Sequence, residues 1–185
     1  LANVNMPPIV TSIVCGSGDF KASTDPCFGE AWIRVGTPAQ PKAGIAFYGS
    51  SDHDTHTKWN NPNAEGFYWA LLTEKLLSFG QCVMRAKLTI FLSYPENRPE
   101  SLGVEHYMSV YNILADPSVS VWRAVPTDIT VSAPVSIRKG ESVLTVRISG
   151  IDGSTPVTDA MLAAYFYNDG KTYTTSASSD GSASV

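Results

Sequence analysis

The feature that most constrains this chain is an apolar, β-branched run, Ile9 to Val14, that ends on a cysteine. A run with no polar face predicts a fully buried strand of the kind found in parallel sheets. In open α/β sheets, reacting groups lie just beyond the carboxyl ends of such strands, and Cys15 occupies that place. Gly16 and Gly18 follow and allow a bare backbone that a substrate can approach closely. Two interpretations of Cys15 stay open here, a nucleophilic thiol and a structural cysteine packed at a strand end.

Length, charge and cysteine content narrow the class of protein. The chain has 185 residues, about one large domain or two small ones. Its formal net charge is −4 and it has no basic cluster, which disfavours binding to nucleic acid or to an anionic membrane surface. No apolar run reaches the roughly 20 residues of a membrane-spanning helix. Cys15, Cys27 and Cys82 form no Cys-x-x-Cys pair, so neither a disulfide scaffold nor a zinc knuckle is expected.

The segment after Cys15 predicts a parallel βαβ unit. A helix is expected over 26–36, capped by Asp25, and a buried strand over 43–49. Residues 50–62 form a polar and aromatic loop that would leave the same sheet edge as Cys15, and we expect it to form a wall of a substrate site. The residues proposed to bind substrate there are Asp52, His53, His56 and Trp59.

The histidines of this loop also suggest a metal site or a catalytic base. His53 and His56 are flanked by Asp52 and Asp54, but their spacing matches no recognised site and zinc needs a third or fourth ligand. A solvated loop is therefore favoured, and no metal is predicted. Either histidine as a base for Cys15 stays open as an alternative.

The rest of the chain changes character after Thr127. Before it, helices are expected over 63–78, 81–93 and 103–114, with a strand as the alternative over 88–92, and an edge-like strand over 118–125. After it, short strands over 129–134, 142–149, 160–168 and 171–178 alternate with turn signals at 140–141, 152–153 and 168–170. This pattern predicts an immunoglobulin-like β-sandwich. Because such a sandwich normally has about seven strands, we expect an incomplete one with open edges.

Several motifs in order resemble the gingipain-type cysteine peptidases. They are Val14-Cys15-Gly16-Ser17-Gly18-Asp19-Phe20, Pro26-Cys27-Phe28-Gly29-Glu30-Ala31, the strand into Gly49-Ser50-Ser51, Tyr111-Asn112-Ile113-Leu114-Ala115-Asp116-Pro117-Ser118, and Val125-Pro126-Thr127 leading to Val131-Ser132-Ala133-Pro134. Ser17 stands where the family more often has Asn or another residue, and Ala115 where it usually has Gly. Neither change removes a reacting group.

The resemblance implies an architecture and a reaction. The fold would be the C-terminal part of a caspase-like α/β three-layer sandwich over 1–125, followed by a truncated all-β immunoglobulin-like sandwich over 126–185. Cys15 would be the nucleophile, and Gly16 would offer its N–H to the oxyanion. The family's catalytic histidine precedes the cysteine in a His-Gly motif, and no histidine precedes Cys15 here. The chain would thus carry half of a Cys/His dyad.

The same resemblance implies partners and a location. A polypeptide is the expected substrate, and the N-terminal part of the catalytic domain is the expected partner. The location would be extracellular or at the cell surface, and no cofactor is implied. Two alternatives remain: a peptidase-derived structural subunit that assembles by β-strand exchange through its open edges, and a binding module whose loop over 53–59 holds a ligand.

Overall fold

The computed structural model describes residues 3, 7–21, 25–97, 103–136, 143–167 and 170–185. The chain divides into two compact units, Leu1–Arg123 and Ala124–Val185. The first unit contains, in chain order, β1 (Ile9–Ser12), α1 (Phe28–Arg34), β2 (Gly36–Thr37), β3 (Gln40–Pro41), β4 (Ala46–Ser50), α2 (Thr57–Leu72), α3 (Phe79–Ser93), a short 3₁₀ turn (Pro95–Asn97), α4 (Val104–Val110) and β5 (Tyr111–Leu114).

The sheet of the first unit has β4 in its middle. β1 pairs with β4 in parallel, so that Ser12 lies opposite Gly49, and β5 pairs with β4 antiparallel. The predicted parallel βαβ unit, β1–α1–β4, is therefore confirmed. The expectation that β1 is the fully buried strand is wrong, because within the described residues it has one neighbour and all its residues are half-buried. β4 is the strand buried along its whole length.

Helices cover both faces of β4. Successive side chains of a strand point to opposite faces, so neighbouring residues of β4 contact different helices. On one face the ring of Phe47 contacts α1, with its centroid 6.0 Å from that of Phe28. On the other face Tyr48 stacks on Phe67 of α2 at 6.2 Å. α2 and α3 pack together over this second face, and their buried side chains form the main core with Tyr107 and Tyr111. The result is a three-layer α/β arrangement.

Several other predicted elements of this unit differ from the structure. α2 begins at Thr57, so residues 57–62 are helical and the predicted loop is shorter. The helix predicted over 103–114 ends at Val110, because the next four residues pair with β4 as β5. Residues 118–125 form no strand but a single bridge between Ser120 and Ser78.

Two further predicted segments are helical in the structure, and one of these helices is shorter than predicted. Residues 88–92 belong to α3 and not to a strand, since Ser78 caps a helix that runs unbroken to Ser93. α1 is shorter than predicted, and Cys27 rather than Asp25 is its N-cap residue; the Cys27 N–H donates to Glu30 Oε2 at 3.0 Å. All three cysteines are free thiols, and Cys27 and Cys82 are buried.

The second unit consists of short strands in its described residues. These are β6 (Ile129–Ser132), β7 (Thr145–Gly150), β8 (Met161–Phe166), β9 (Lys171–Ser176) and β10 (Ser182–Ser184). They form an antiparallel sheet in the order β10–β7–β6 and a separate β8–β9 hairpin. A small core of Val146, Ile148, Ala177 and Ala183 lies inside. The strands predicted after Thr127 are confirmed in type, whereas the immunoglobulin-like topology stays a prediction.

The turn signals of this unit have different outcomes. The predicted turn at 152–153 is confirmed, because Gly153 has φ +70° and its N–H donates to the Gly150 carbonyl at 2.9 Å. The signal at 140–141, and residues 168–169 of the signal at 168–170, lie outside the described residues.

Candidate active site

Cys15 lies in a turn just past the carboxyl end of β1, and its side chain is exposed. Because β1 and β4 are parallel, the residues that follow β4 leave the sheet at the same edge. The predicted meeting of the Cys15 turn with the loop after β4 is confirmed. The interpretation of Cys15 as a cysteine packed at a strand end is not supported.

Backbone hydrogen bonds join the two segments. The Gly16 N–H donates to the Asp52 carbonyl at 2.7 Å, and the Gly18 N–H donates to the Ser50 carbonyl at 2.7 Å. The Ser17 carbonyl accepts from the Gly29 N–H at 2.9 Å, which ties the turn to the start of α1. Because three backbone hydrogen bonds hold the three consecutive residues that follow Cys15, the thiol is presented from a well-anchored turn.

Gly16 has a different role from the one expected of it. Its N–H is occupied by the Asp52 carbonyl, so in this arrangement it is not available to an oxyanion. Its φ is +61°, and a Cβ there would lie 2.3 Å from Cε1 of the His53 ring. The absence of a side chain therefore lets the imidazole lie against the turn, where His53 Nε2 is 3.2 Å from Asp19 Oδ2.

The Cys15 sulfur contacts Thr55. Thr55 Oγ1 donates to Sγ at 3.0 Å, and the Thr55 carbonyl oxygen lies 3.5 Å from Sγ as an acceptor for the thiol proton. Hydrogen bonds with the Thr55 side chain first, and with its backbone second, hold the pKa of Cys15 below its usual value. A donor to sulfur favours the thiolate, which is the nucleophilic form of cysteine.

The residues proposed to bind substrate differ in burial and in hydrogen-bond partners. Asp52 is half-buried and accepts from the Asp54 N–H at 2.7 Å, so its carboxylate shapes the loop. His53 is exposed beside the Cys15 turn. His56 is exposed and caps α2, with Nδ1 accepting from the Lys58 N–H at 3.1 Å. The first three proposed residues, Asp52, His53 and His56, thus remain near the thiol edge.

Trp59 departs from the predicted loop. It lies in the first turn of α2 with 5% of its surface exposed, and its ring meets Tyr94 edge to face at 4.7 Å. The centroid of the Tyr107 ring lies 6.1 Å from that of Trp59. The expectation that Trp59 lies on a loop is wrong, because α2 begins two residues earlier and turns the ring inward. Its contribution to substrate binding stays a prediction.

None of the three imidazoles forms a hydrogen bond with Cys15 in this structure. His53 pairs with Asp19, His56 caps α2, and His106 Nε2 is buried without a partner. The alternative of His53 or His56 as the base therefore has no hydrogen bond to support it. The described side chains also contain no group of three His, Cys, Asp or Glu that could hold a metal ion, so the metal interpretation of the loop gains no support.

Sequence reasoning missed Thr55 and the polar groups behind it. Asn60 Nδ2 donates to Thr55 Oγ1 at 3.5 Å, and the Tyr111 hydroxyl donates to Asn60 Oδ1 at 2.7 Å. Thr55 belongs to no motif, and 40 residues separate it from Cys15. The one available signal was its place in the loop after β4.

Comparison with known proteins gives a consistent result. The sequence model of peptidase family C25 matches residues 1–122. Gingipain R2 of Porphyromonas gingivalis strain ATCC 33277 is 27% identical over 143 residues, which are 74% of this chain and 18% of that protein. Gingipain R1 of Porphyromonas gingivalis is 26% identical over 152 residues, which are 79% of this chain and 14% of that protein. The chain thus spans less than one fifth of these relatives.

Solved structures share its fold. The crystal structure of the Arg-specific cysteine proteinase gingipain R superposes with a TM-score of 0.75 at 24% identity, covering 100% of this chain and 40% of that one. A complex of the pro- and mature domains of RgpB from Porphyromonas gingivalis also gives 0.75, at 22% identity. The resemblance inferred from the motifs is confirmed. Within the described residues, no helix has the length and apolar character needed to cross a bilayer.

Proposed function

Because this chain belongs to peptidase family C25, we propose that it is the nucleophile-bearing portion of a cysteine endopeptidase. The observation that carries the proposal is the exposed Cys15 thiol at the sheet edge, with a hydroxyl donor on its sulfur. This is the environment that raises the thiolate fraction of a cysteine without burying it.

The reaction follows from that geometry. The Cys15 thiolate attacks the carbonyl carbon of a bound peptide, and the carbonyl π electrons move onto oxygen. When the tetrahedral intermediate collapses, the C–N bond breaks and the amine leaves with a proton from a histidine that lies outside these 185 residues. Water then cleaves the thioester, which returns the sulfur and releases the acid. Asp52, His53 and His56 form the wall of the substrate site on this side.

The setting of the reaction is also proposed. The partner is the portion of the catalytic domain that supplies the histidine, and the location is extracellular or at the cell surface. Fractionation of producing cells tests the location, and recovery of the polypeptide only from the cytosol would contradict it.

The test of function uses the full-length polypeptide that contains this chain. Cys15→Ala is expected to abolish hydrolysis of a broad peptide library, while Cys27→Ala, at a buried thiol, serves as the matched control. After treatment of the wild type with iodoacetamide, peptide mapping should find the label on Cys15. The labelled fraction should equal the fraction of activity lost. Hydrolysis that survives in Cys15→Ala would contradict the proposal.

Producing the 185-residue chain on its own tests whether the catalytic dyad is shared between Cys15 and a histidine outside this chain. A free thiol is only a few per cent thiolate at neutral pH, and pairing with a protonated histidine is what normally lowers its pKa further. We therefore expect the isolated chain to cleave no peptide. Rapid, specific alkylation of Cys15 in it would show that the thiolate needs no histidine from outside.

A second candidate function is favoured by one observation in the second unit. β6 is an edge strand within the described residues, and its Ile129 and Val131 are 51% and 55% exposed. An exposed β-branched edge is a template for pairing with another strand. If the chain is a structural subunit that assembles by strand exchange, electron micrographs of purified protein will show regular filaments. Monodisperse particles would exclude this candidate.

A further inference from the structure

Behind the Cys15 sulfur lies a chain of polar groups. Thr55 Oγ1 donates to Cys15 Sγ at 3.0 Å, Asn60 Nδ2 donates to Thr55 Oγ1 at 3.5 Å, and Tyr111 Oη donates to Asn60 Oδ1 at 2.7 Å. We call Thr55, Asn60 and Tyr111 the donor chain. Every hydrogen in it points toward the sulfur, which is the direction that stabilises negative charge there.

The far end of the donor chain is fixed by rigid elements. Tyr111 is fully buried at the start of β5, and Asn60 is half-buried in the first turns of α2. Cys15 and Thr55 themselves lie outside helices and strands. Their relative position is therefore set by groups that the sheet and helix hold in place.

The backbone next to Thr55 is fixed as well. The Tyr107 hydroxyl accepts from the His56 N–H at 2.5 Å and donates to the His56 carbonyl at 3.0 Å. Tyr107 is fully buried and stacks on Tyr111 at 5.5 Å. The Thr55 hydroxyl is thus held between a clamped backbone and the Asn60 amide.

We propose that the donor chain aims the Thr55 hydroxyl at the nucleophile and stabilises the Cys15 thiolate, which makes Thr55 a catalytic residue and Asn60 and Tyr111 positioning residues. The inference rests on the proposed function, since it concerns the same sulfur. Linked hydrogen bonds polarise one another, so loss of the Tyr111 hydroxyl weakens the Thr55 donor without touching sulfur.

A purely structural role for Thr55 predicts something different. If its hydroxyl only completed the loop, removing it would lower stability and leave the titration of Cys15 unchanged. The pH profile of thiol reactivity separates these two roles. Its midpoint is the better readout than a rate at one pH, because a thiolate of higher pKa is intrinsically more nucleophilic and partly offsets its lower population.

The experiment measures iodoacetamide alkylation of Cys15 against pH in the full-length polypeptide, with the site of labelling confirmed by peptide mapping. Thr55→Val removes the donor and keeps the shape. It is expected to raise the midpoint by about half to one pH unit, as loss of one charge-assisted hydrogen bond at an exposed sulfur would. Thr55→Ser, which keeps the hydroxyl, is expected to stay within about 0.2 units of the wild type. Tyr111→Phe is expected to shift the midpoint in the same direction by less.

The matched control is Thr57→Val, the same change at an exposed residue at the start of α2. It should leave the midpoint unchanged. A midpoint unaltered in folded Thr55→Val, or raised equally in Thr55→Ser, would overturn the inference. If Thr55→Val does not fold, Tyr111→Phe decides the matter, since an unchanged midpoint there also overturns it. Loss of activity in Cys15→Ala is unaffected by these outcomes and judges the proposed function separately.

Discussion

At the scale of single residues, the site depends on a glycine that makes room for a histidine. Gly16 has φ +61°, a region that residues with a Cβ rarely adopt, and the His53 ring occupies the space where that Cβ would be. His53 in turn pairs with Asp19 at 3.2 Å. The missing side chain of Gly16 thus lets the hydrogen-bonded His53–Asp19 pair lie against the turn that presents the thiol.

Replacing Gly16 by alanine is expected to disturb that turn. The left-handed backbone alone costs roughly 1–2 kcal/mol for an L-residue, and the overlap with His53 adds to it. We expect Gly16→Ala to lower the free energy of unfolding of the first unit and to slow alkylation of Cys15. Urea unfolding and the labelling rate measure the two effects.

Two matched variants separate the causes. Gly153, in the second unit, also has a positive φ, +70°, but a Cβ there would meet nothing within 4 Å. The change that Gly153→Ala causes in the unfolding free energy of the second unit therefore reports the backbone cost alone. Gly16→Ala combined with His53→Ala should recover the part due to overlap. If the double variant is no more stable than Gly16→Ala, the clash with His53 is not the cause.

At the scale of elements, β4 and α2 are joined by one buried polar contact. The Tyr48 hydroxyl donates to Asn63 Oδ1 at 2.8 Å, and both residues are fully buried. Burial raises the pKa of Tyr48, so the hydroxyl keeps its proton and remains a donor. The contact orients α2, and α2 carries Asn60 toward the thiol edge.

This contact predicts an asymmetry between variants. Tyr48→Phe leaves Asn63 Oδ1 buried without a partner and is expected to cost about 1–3 kcal/mol of stability. The pair Tyr48→Phe with Asn63→Leu removes both polar groups and is expected to cost less than the single change. Chemical denaturation of the three proteins measures this, and a double variant less stable than Tyr48→Phe would show that the contact is not what matters.

One turn of the second unit predicts that the stability of this unit decreases at low pH. Asp180 accepts hydrogen bonds from the side chains of Ser182 and Ser178, which hold its pKa far below the ordinary value. A carboxylate with a depressed folded pKa contributes stability above its unfolded pKa of about 3.9 and loses it as pH falls. We expect Asp180→Asn to be less stable than the wild type at pH 7, by a difference that narrows progressively as the pH falls below about 4.

Urea unfolding of the second unit from pH 2 to 7 measures this effect. Asp128→Asn controls for a change of charge alone. A constant difference between Asp180→Asn and the wild type across the range would refute the assignment.

At the scale of the whole molecule, each unit has its own buried core. The first contains large aromatic side chains such as Tyr48, Phe67 and Phe79, whereas the second holds Val146, Ile148, Ala177 and Ala183. A core of two branched residues and two alanines buries little apolar area, so the stability of the second unit depends strongly on each of these side chains.

Ile148→Ala is therefore expected to unfold the second unit selectively. Truncation of a buried isoleucine costs about 2–5 kcal/mol, a large share of the stability of a small unit. The circular dichroism of the strands should be lost while alkylation of Cys15 keeps its wild-type rate. A parallel fall in the alkylation rate would show that the two units unfold together.

Local sequence pattern is sufficient to predict secondary structure where the segment's own residues determine it. Neither the run before Cys15 nor residues 43–49 has a polar face, and both are predicted as strands. Pattern is insufficient where contacts with a neighbouring element determine the structure. Residues 111–114 continue a helical pattern, yet they form a strand because pairing with β4 satisfies their backbone hydrogen bonds. Trp59 follows a polar loop in sequence, yet its ring is buried by Tyr94 and Tyr107.

By itself the sequence determined that a cysteine follows a β-strand of an α/β sheet and that several short strands come later in the chain, because hydrophobic periodicity and turn residues are local properties. Only the tertiary structure decided what surrounds the thiol. Thr55 reaches the Cys15 sulfur across 40 residues of chain, and the Gly16 N–H meets the Asp52 carbonyl through the parallel pairing of β1 with β4. Such contacts arise from the register of two strands, which no single stretch of sequence specifies.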